Sequence, residues 1–240
     1  MSNATVPRPR PGDQGAGRPL WVSVEGINGI GKTSAVQALA AACGARCLSL
    51  AELTDQAADS LPGQVIAALA TGGDAFLRTG HPVAETLALL ALKVREYERL
   101  ESRRLVGVDF VLEDRGVDSV AVYQAAILAA GHAGTQPQAV AGRILAAAAR
   151  WRPLPDATVL MVGDRAAATA RFAARTGRTL APRDLAVIDQ ADRLYRDVAA
   201  ADPGRFTVLD VTGHHPAQSA GALHEAVQQL LARREAAHAP

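Results

Sequence analysis

The chain has 240 residues, of which 49% are hydrophobic, 20% charged and 4% aromatic, with 25 Lys and Arg against 24 Asp and Glu. That length fits one α/β domain with a core built from Ala, Leu and Val, and a formal net charge of +1 excludes the broad basic field of a nucleic-acid binder. No uncharged apolar run reaches membrane-spanning length, and the pair Cys43 and Cys47, which a disulfide or half a metal site would also fit, reads best as free thiols of a reducing cytoplasm.

Residues 1–19 are rich in Pro, Gly and Arg, lack periodicity and lack the apolar core of a signal peptide, so they read as a disordered tail. A buried strand is expected over 20–24. It runs into Gly26-Ile27-Asn28-Gly29-Ile30-Gly31-Lys32-Thr33, which satisfies every position of G-x-x-x-x-G-K-[ST], and a helix is expected over 34–42. The glycines let backbone N–H groups turn inward around phosphate oxygens, and the helix presents its N-terminus to the anion. Lys32 can reach the β- and γ-phosphates and the Thr33 hydroxyl can bind Mg²⁺. The expected nucleotide-binding set is therefore Gly26, Asn28, Gly29, Ile30, Gly31, Lys32, Thr33 and Ser34.

A second strand is expected at 46–50, followed by a polar connection over 51–62 that holds Glu52, Asp55 and Asp59. A short helix follows at 63–70 and breaks at 71–74. His81-Pro82 opens a long helix to about 104, where Val83, Leu87, Leu90, Val94, Tyr97 and Leu100 recur at spacings of three and four and predict one buried face. A third strand over 108–113 runs into Asp114-Arg115. Helices follow at 117–130, closed by Gly131, and at 137–150. The remaining elements are a strand at 157–162, a helix at 165–176 that ends in an Arg- and Gly-rich stretch, a helix at 184–201, a strand at 206–211 and a last helix over 216–234, with a tail at 236–240. Five β-rich runs alternating with helices predict a five-stranded parallel sheet in a three-layer α/β/α sandwich. Ligands of such sheets bind beyond the carboxyl ends of the strands, where the phosphate-binding loop, Glu52, Asp114-Arg115 and Asp164 all fall. Phosphoryl transfer is mostly positioning plus cationic stabilisation. The loop itself supplies only Lys32, so Arg171, Arg175, Arg178 and Arg183 are the expected source of further positive charge.

Val24 to Thr33 resembles the opening of thymidylate kinases, and Asp114-Arg115-Gly116-Val117-Asp118-Ser119-Val120-Ala121-Val122-Tyr123-Gln124 resembles their "DRY…S…YQ" segment. The run 155–162 looks like their fourth strand, 171–183 like their mobile lid, and 201–206 like the approach to their last strand. The resemblance covers about 20–235, in order, and implies a single kinase domain of phosphate-loop type across that span. It implies that Lys32 and the loop hold ATP, that Thr33 and Asp114 hold Mg²⁺, and that Arg115 bridges donor and acceptor phosphates. It also implies that Ser119 and Tyr123 face the acceptor sugar and that Arg171, Arg175, Arg178 and Arg183 close over ATP. Glu25 reads as a buried strand-end acid, a substrate contact or a group behind the magnesium. A homodimer through the helices at 117–130 and 137–150 is one use for them, and core packing is the other.

The acceptor half departs from the family pattern. Leu50-Ala51-Glu52-Leu53-Thr54-Asp55 has a Glu but lacks the Arg of the family's Arg-Glu-Pro motif, and Asn28 stands where the family has Asp. Leu90 stands where an aromatic stacks on thymine, with Arg95 left to hydrogen-bond a base, and Gly116 replaces the aromatic of "DRY". The expected activity is ATP-dependent phosphorylation of a small molecule in the cytoplasm, dTMP by default, with no nucleic acid and no membrane as partner. A hydroxyl acceptor, with Glu52 as base, is the alternative. A nucleotide-dependent regulatory switch is the alternative of another class.

Overall fold

The computed structural model describes residues 18–70, 74–100, 105–131 and 134–238. The expectations for 1–17, 71–73, 101–104 and 239–240 lie outside the described residues. Strand β1, Leu20–Glu25, is buried at all six positions. Its neighbours are β3 (Phe110–Asp114) and β4 (Ala157–Val162), and β2 (Cys47–Leu50) and β5 (Phe206–Asp210) form the edges. The order is β2-β3-β1-β4-β5 and every pairing is parallel. A central parallel strand is covered on both faces, which is why β1, β3 and β4 read as near-continuous apolar runs rather than alternating ones. The register sets Val24 beside Asp114 and Glu25 beside Leu160, so the end of β1 and the end of β3 open on one crevice.

The chain leaves β1 for β2 on one side and leaves β3 for β4 in the opposite direction. Right-handed crossovers then place the connecting helices on opposite faces. Helix α1 (Lys32–Cys43) packs against α8 (Pro216–His238), while α4 (Val117–Ala130) packs against α3 (Pro82–Glu98), α5 (Pro137–Ala148) and α7 (Pro182–Ala201). Helix α2 is Leu61–Leu69 and α6 is Arg165–Thr176. Short turns of 3₁₀-helix occupy Gly44–Arg46 and Leu53–Asp55. Among the described residues no helix is long and apolar enough to cross a membrane.

The structure refines three expectations. Val83 and Leu87 of α3 are exposed, at 62% and 61%, whereas Glu85, Thr86, Leu89, Leu90, Leu92 and Lys93 are buried. The apolar spacing misplaced this face because its charged members are paired inside the molecule: Lys93 meets Glu113 and Glu96 at 3.1 and 3.0 Å. Helix α4 cannot supply a dimer face along its first part, because Val117 through Ala126 are all buried within this chain. The stretch 171–183, expected as a lid, is built from helix ends. It is the end of α6, a turn at Gly177 with φ 63°, and the start of α7 at Pro182.

Candidate active site

The phosphate-binding loop turns between β1 and α1 on three glycines with positive φ, Gly26, Gly29 and Gly31. At Gly29, with φ 77°, an added Cβ would press on the backbone of Ala168 and stand 2.9 Å from the Phe172 nitrogen, so α6 rests directly on the loop. Arg171 of α6 donates from Nε to the Gly29 carbonyl at 2.8 Å. Lys32 is buried, and its Nζ donates to the carbonyls of Gly26 and Ile27, both at 2.9 Å. Burial pushes the Lys32 ammonium down to about 7, and the nearby Arg115 guanidinium adds to the effect. Gly29, Ile30, Gly31, Thr33 and Ser34 line a cavity of about 620 Å³, with Arg171, Arg175 and Asp164 on the α6 side and Thr212, Gly213 and His214 from the loop after β5.

Asp114 and Arg115 end β3. Arg115 holds φ 61°, and its N–H donates to Val24 O at 3.2 Å, which turns the side chain toward the loop. Its guanidinium pairs with Glu52 (Nε to Oε1, 2.9 Å), donates from Nη2 to Asn28 Oδ1, and lies 5.5 Å from the Tyr123 ring centre. Burial works against the ionised Glu52 carboxylate, but Arg115 and Lys32 outweigh it and hold Glu52 below the usual carboxylate range. Burial likewise opposes the Arg115 charge and the facing Glu52 overcomes it, so the guanidinium stays charged. Asp114 is 2% exposed and its Oδ1 has no hydrogen-bond partner.

A second cleft, of about 120 Å³, lies on the other side of this ion pair. Leu53, Ile66, Phe76, Leu89 and Tyr123 form its apolar walls, and Asn28, Ser119, Gln124 and Lys93 its polar part. Glu52 and Arg115 line both cavities and so stand at their junction. Beneath the cleft, Glu113 takes Arg152 in two parallel hydrogen bonds at 3.0 and 3.1 Å and Trp21 Nε1 at 2.8 Å. The Lys93, Glu113 and Arg152 charges are thus satisfied inside the fold.

The structure brings Lys32, Thr33, Ser34, Glu52, Arg115, Arg171 and Arg175 around one cavity. Other expected residues go elsewhere. Arg178 is exposed and lines neither cavity, because α6 ends before it, and Arg183 is 4.0 Å from Asp74 instead. Arg95 also lines neither cavity; the helix turns Lys93 inward in its place. Glu25 is fully buried below the site, where its carboxylate accepts from Ser23, Gly116, Ser119 and Tyr195. Burial raises its pKa first and Asp118 adds to the shift. Ser119 therefore borders the cleft with its hydroxyl already engaged by Glu25 and by Tyr195 at 2.7 Å. Tyr123 does stand in the cleft wall, but its hydroxyl accepts from the Asn28 N–H at 3.0 Å and donates to Asn28 Oδ1 at 3.2 Å, which ties the wall to the loop. Sequence reasoning missed Phe76, Lys93 and Tyr195. The only signal for Phe76 was an aromatic residue in a chain with four Phe.

A phosphate-binding loop at the central strand of a parallel sheet, flanked by arginines and joined through an Arg to a second cleft, defines the class of phosphate-loop kinases. A family model described as thymidylate kinase matches residues 24–217. The chain belongs to the thymidylate kinase family. It is 30% identical over 200 residues to a thymidylate kinase of Cereibacter sphaeroides, covering 81% of this chain and 88% of that one. The fold matches the solved thymidylate kinases of Ehrlichia chaffeensis (TM-score 0.58, 17% identity, 88% and 99% of the two chains) and Candida albicans (TM-score 0.61, 16% identity, 88% and 92%). It is an ATP-dependent phosphotransferase.

Proposed function

We propose that the chain transfers the γ-phosphate of ATP to a nucleoside monophosphate, dTMP. The observation that carries this reading is the junction: Glu52 and Arg115 border both cavities, so a donor in the first meets an acceptor in the second at that pair. In this reading Lys32 and the loop N–H groups hold the ATP phosphates, and Arg115 steadies the group in flight between donor and acceptor. Arg171 and Arg175, carried on α6, neutralise charge on the transferring phosphoryl group. No strong base is required, because the acceptor oxygen of a monophosphate is already anionic.

The residues present fit a magnesium ion. The partnerless buried Asp114 Oδ1 and the half-buried Thr33 at the cavity wall are the groups that would hold it, in part through water. Among the described residues no three His, Cys, Asp or Glu form a metal cage, which suits an ion that arrives on ATP phosphates. When bound, Mg²⁺ would neutralise charge on the β- and γ-phosphates.

A second reading, a hydroxyl acceptor, is favoured by one specific arrangement. Both cations of the acceptor cleft are already paired, Arg115 with Glu52 and Lys93 with Glu113, so neither is free for an acceptor phosphate, and Glu52 at the junction of the two cavities would be the base for a hydroxyl. Measuring ADP release with ATP and Mg²⁺, alone and with dTMP, dUMP or thymidine, separates the two. Turnover with dTMP above the ATP-only background supports the first reading. Turnover with thymidine and none with dTMP replaces it with the second.

A further inference from the structure

One wall of the acceptor cleft is an aromatic ring, Phe76. Phe76 is buried, with its centre 5.9 Å from that of Tyr123 at an interplanar angle of 22°, and 5.9 Å from that of Phe172 at 52°. Tyr123 is bonded to Asn28 of the phosphate-binding loop, and Phe172 belongs to α6, which carries Arg171 and Arg175. The ring therefore stands between the acceptor wall and the helix that bears the cations of the ATP site. With it in place the cleft measures about 120 Å³, well under the ~300 Å³ at which small-molecule sites begin, whereas the ATP-side cavity of about 620 Å³ lies inside that range.

The segment that carries Phe76 is held from both ends. Asp74 accepts from the Phe76 N–H at 2.8 Å and from Arg78 Nε at 3.0 Å on each oxygen. Arg78 passes its Nη2 on to Asp184 Oδ1, and its guanidinium lies 5.3 Å from the Phe76 ring centre. Asp184 spends its other oxygen on the Ala181 N–H, 2.9 Å away, at the start of α7. On the far side Glu85 Oε1 accepts from the Thr79 hydroxyl at 2.8 Å and from the His81 N–H at 3.1 Å. Leu77, between the two anchorages, is kept at φ 58°, a left-handed conformation that a leucine holds only where its surroundings over-determine it.

We propose that Phe76 is the specificity-determining residue of the acceptor cleft. It stops the cleft until an acceptor whose flat ring can take its place between Tyr123 and Phe172 displaces it, and the Asp74–Arg78–Asp184 clamp sets how hard that is. The inference rests on the kinase reading above and adds to it a residue that the acceptor's ring must displace and a link from that residue to α6 and α7. The apparent affinity for such an acceptor is lowered by the fraction of molecules still stopped. Withdrawal of the ring removes its contact with α6, so acceptor binding and ATP binding are coupled, each altering the other by the same factor.

The test compares the wild type with Phe76→Ala and Arg78→Ala, each first shown to bind a non-hydrolysable Mg²⁺–ATP analogue and so to be folded. Calorimetric titration with dTMP and with thymidine should show tighter binding in both variants, by about fivefold or more, of whichever acceptor the wild type takes. Unchanged or weaker binding in both variants overturns the proposal. A second arm needs no acceptor: in the free protein, Arg78→Ala should speed amide exchange in 74–81 and also in α6. Wild-type exchange in α6 overturns the proposal whatever the acceptor proves to be. Faster exchange in both segments, with neither compound bound by any of the three proteins, keeps the stopper and overturns the dTMP reading instead.

Discussion

Gly29→Ala tests whether α6 is seated on the phosphate-binding loop. The new Cβ would press on the Ala168 carbonyl and lie 2.9 Å from the Phe172 nitrogen and 3.0 Å from the Ala168 carbonyl carbon. These are backbone atoms, so no side chain can swing aside. Restoring ordinary contacts of about 3.5–4.0 Å, with the Ala168 carbonyl oxygen the closest atom, moves α6 away by roughly 1.5–2 Å. That shift carries the Arg171 Nε beyond hydrogen-bond reach of the Gly29 carbonyl, now 2.8 Å away. A left-handed alanine adds about 1–2 kcal/mol, and forcing the helix back adds about 1–3 kcal/mol. Gly177→Ala is the matched control: its φ of 63° is close to the 77° of Gly29, and nothing lies within 4 Å of its added Cβ. Urea unfolding of nucleotide-free protein should show Gly29→Ala less stable than Gly177→Ala by about 1–3 kcal/mol, the contact part alone. ADP-release kinetics should show a fall in turnover for Gly29→Ala, because the α6 arginines leave their places. Equal loss of stability in the two variants would refute the seating of α6 on the loop.

Three further outcomes follow from the same geometry. Lys32 titrates near 7 in the free protein and ATP favours its charged form, so ATP binding should take up a proton above pH 7 and weaken toward pH 9. Calorimetry in buffers of different ionisation heat reads that proton, and no uptake at pH 8 would refute the shift. The sign for stability is opposite to that of a salt-bridged lysine. The unfolded chain holds this proton up to about 10.5, so the Lys32 contribution makes the nucleotide-free fold more stable as pH rises from about 7 to about 10.5. Glu52→Gln should leave kcat with dTMP within about fivefold of wild type, whereas loss of a general base removes about 100-fold or more. A fall of that size with dTMP in steady-state assays would refute the phosphate-acceptor chemistry. Glu113→Gln leaves Lys93 and Arg152 buried without their common carboxylate and should cost about 3–5 kcal/mol in chemical denaturation. A loss under about 1 kcal/mol would show the network to be dispensable.

The order of elements and the loop around Lys32 were legible in the sequence because both are local. Glycines, Lys and Thr at fixed spacing between a strand and a helix leave the chain one way to turn, and alternation of apolar runs with helical stretches leaves a parallel sheet as the way to bury them. Asp114 and Arg115 were legible as rim residues for the same reason: they stand where a strand ends. The acceptor side was not, because what decides it is the meeting of segments far apart in the chain. Whether Lys93 or Arg95 faces the cleft depends on the rotation of α3, and that rotation is set by Glu113 on another strand, whose charge reverses the usual rule that apolar residues mark the inner face. Ser119 and Glu25 could be substrate contacts until the fold joined them to each other and to Tyr195, 76 and 170 residues further along. Phe76 lies in a stretch with no period at all, and the clamp that holds its segment reaches Asp184, 106 residues from Arg78. Sequence alone thus determined that the chain handles nucleotide phosphates, since the loop that would hold them is one contiguous turn. The tertiary structure decided the shape of the acceptor site, since packing between distant elements chooses which side chains are satisfied among themselves and which are left to meet a ligand.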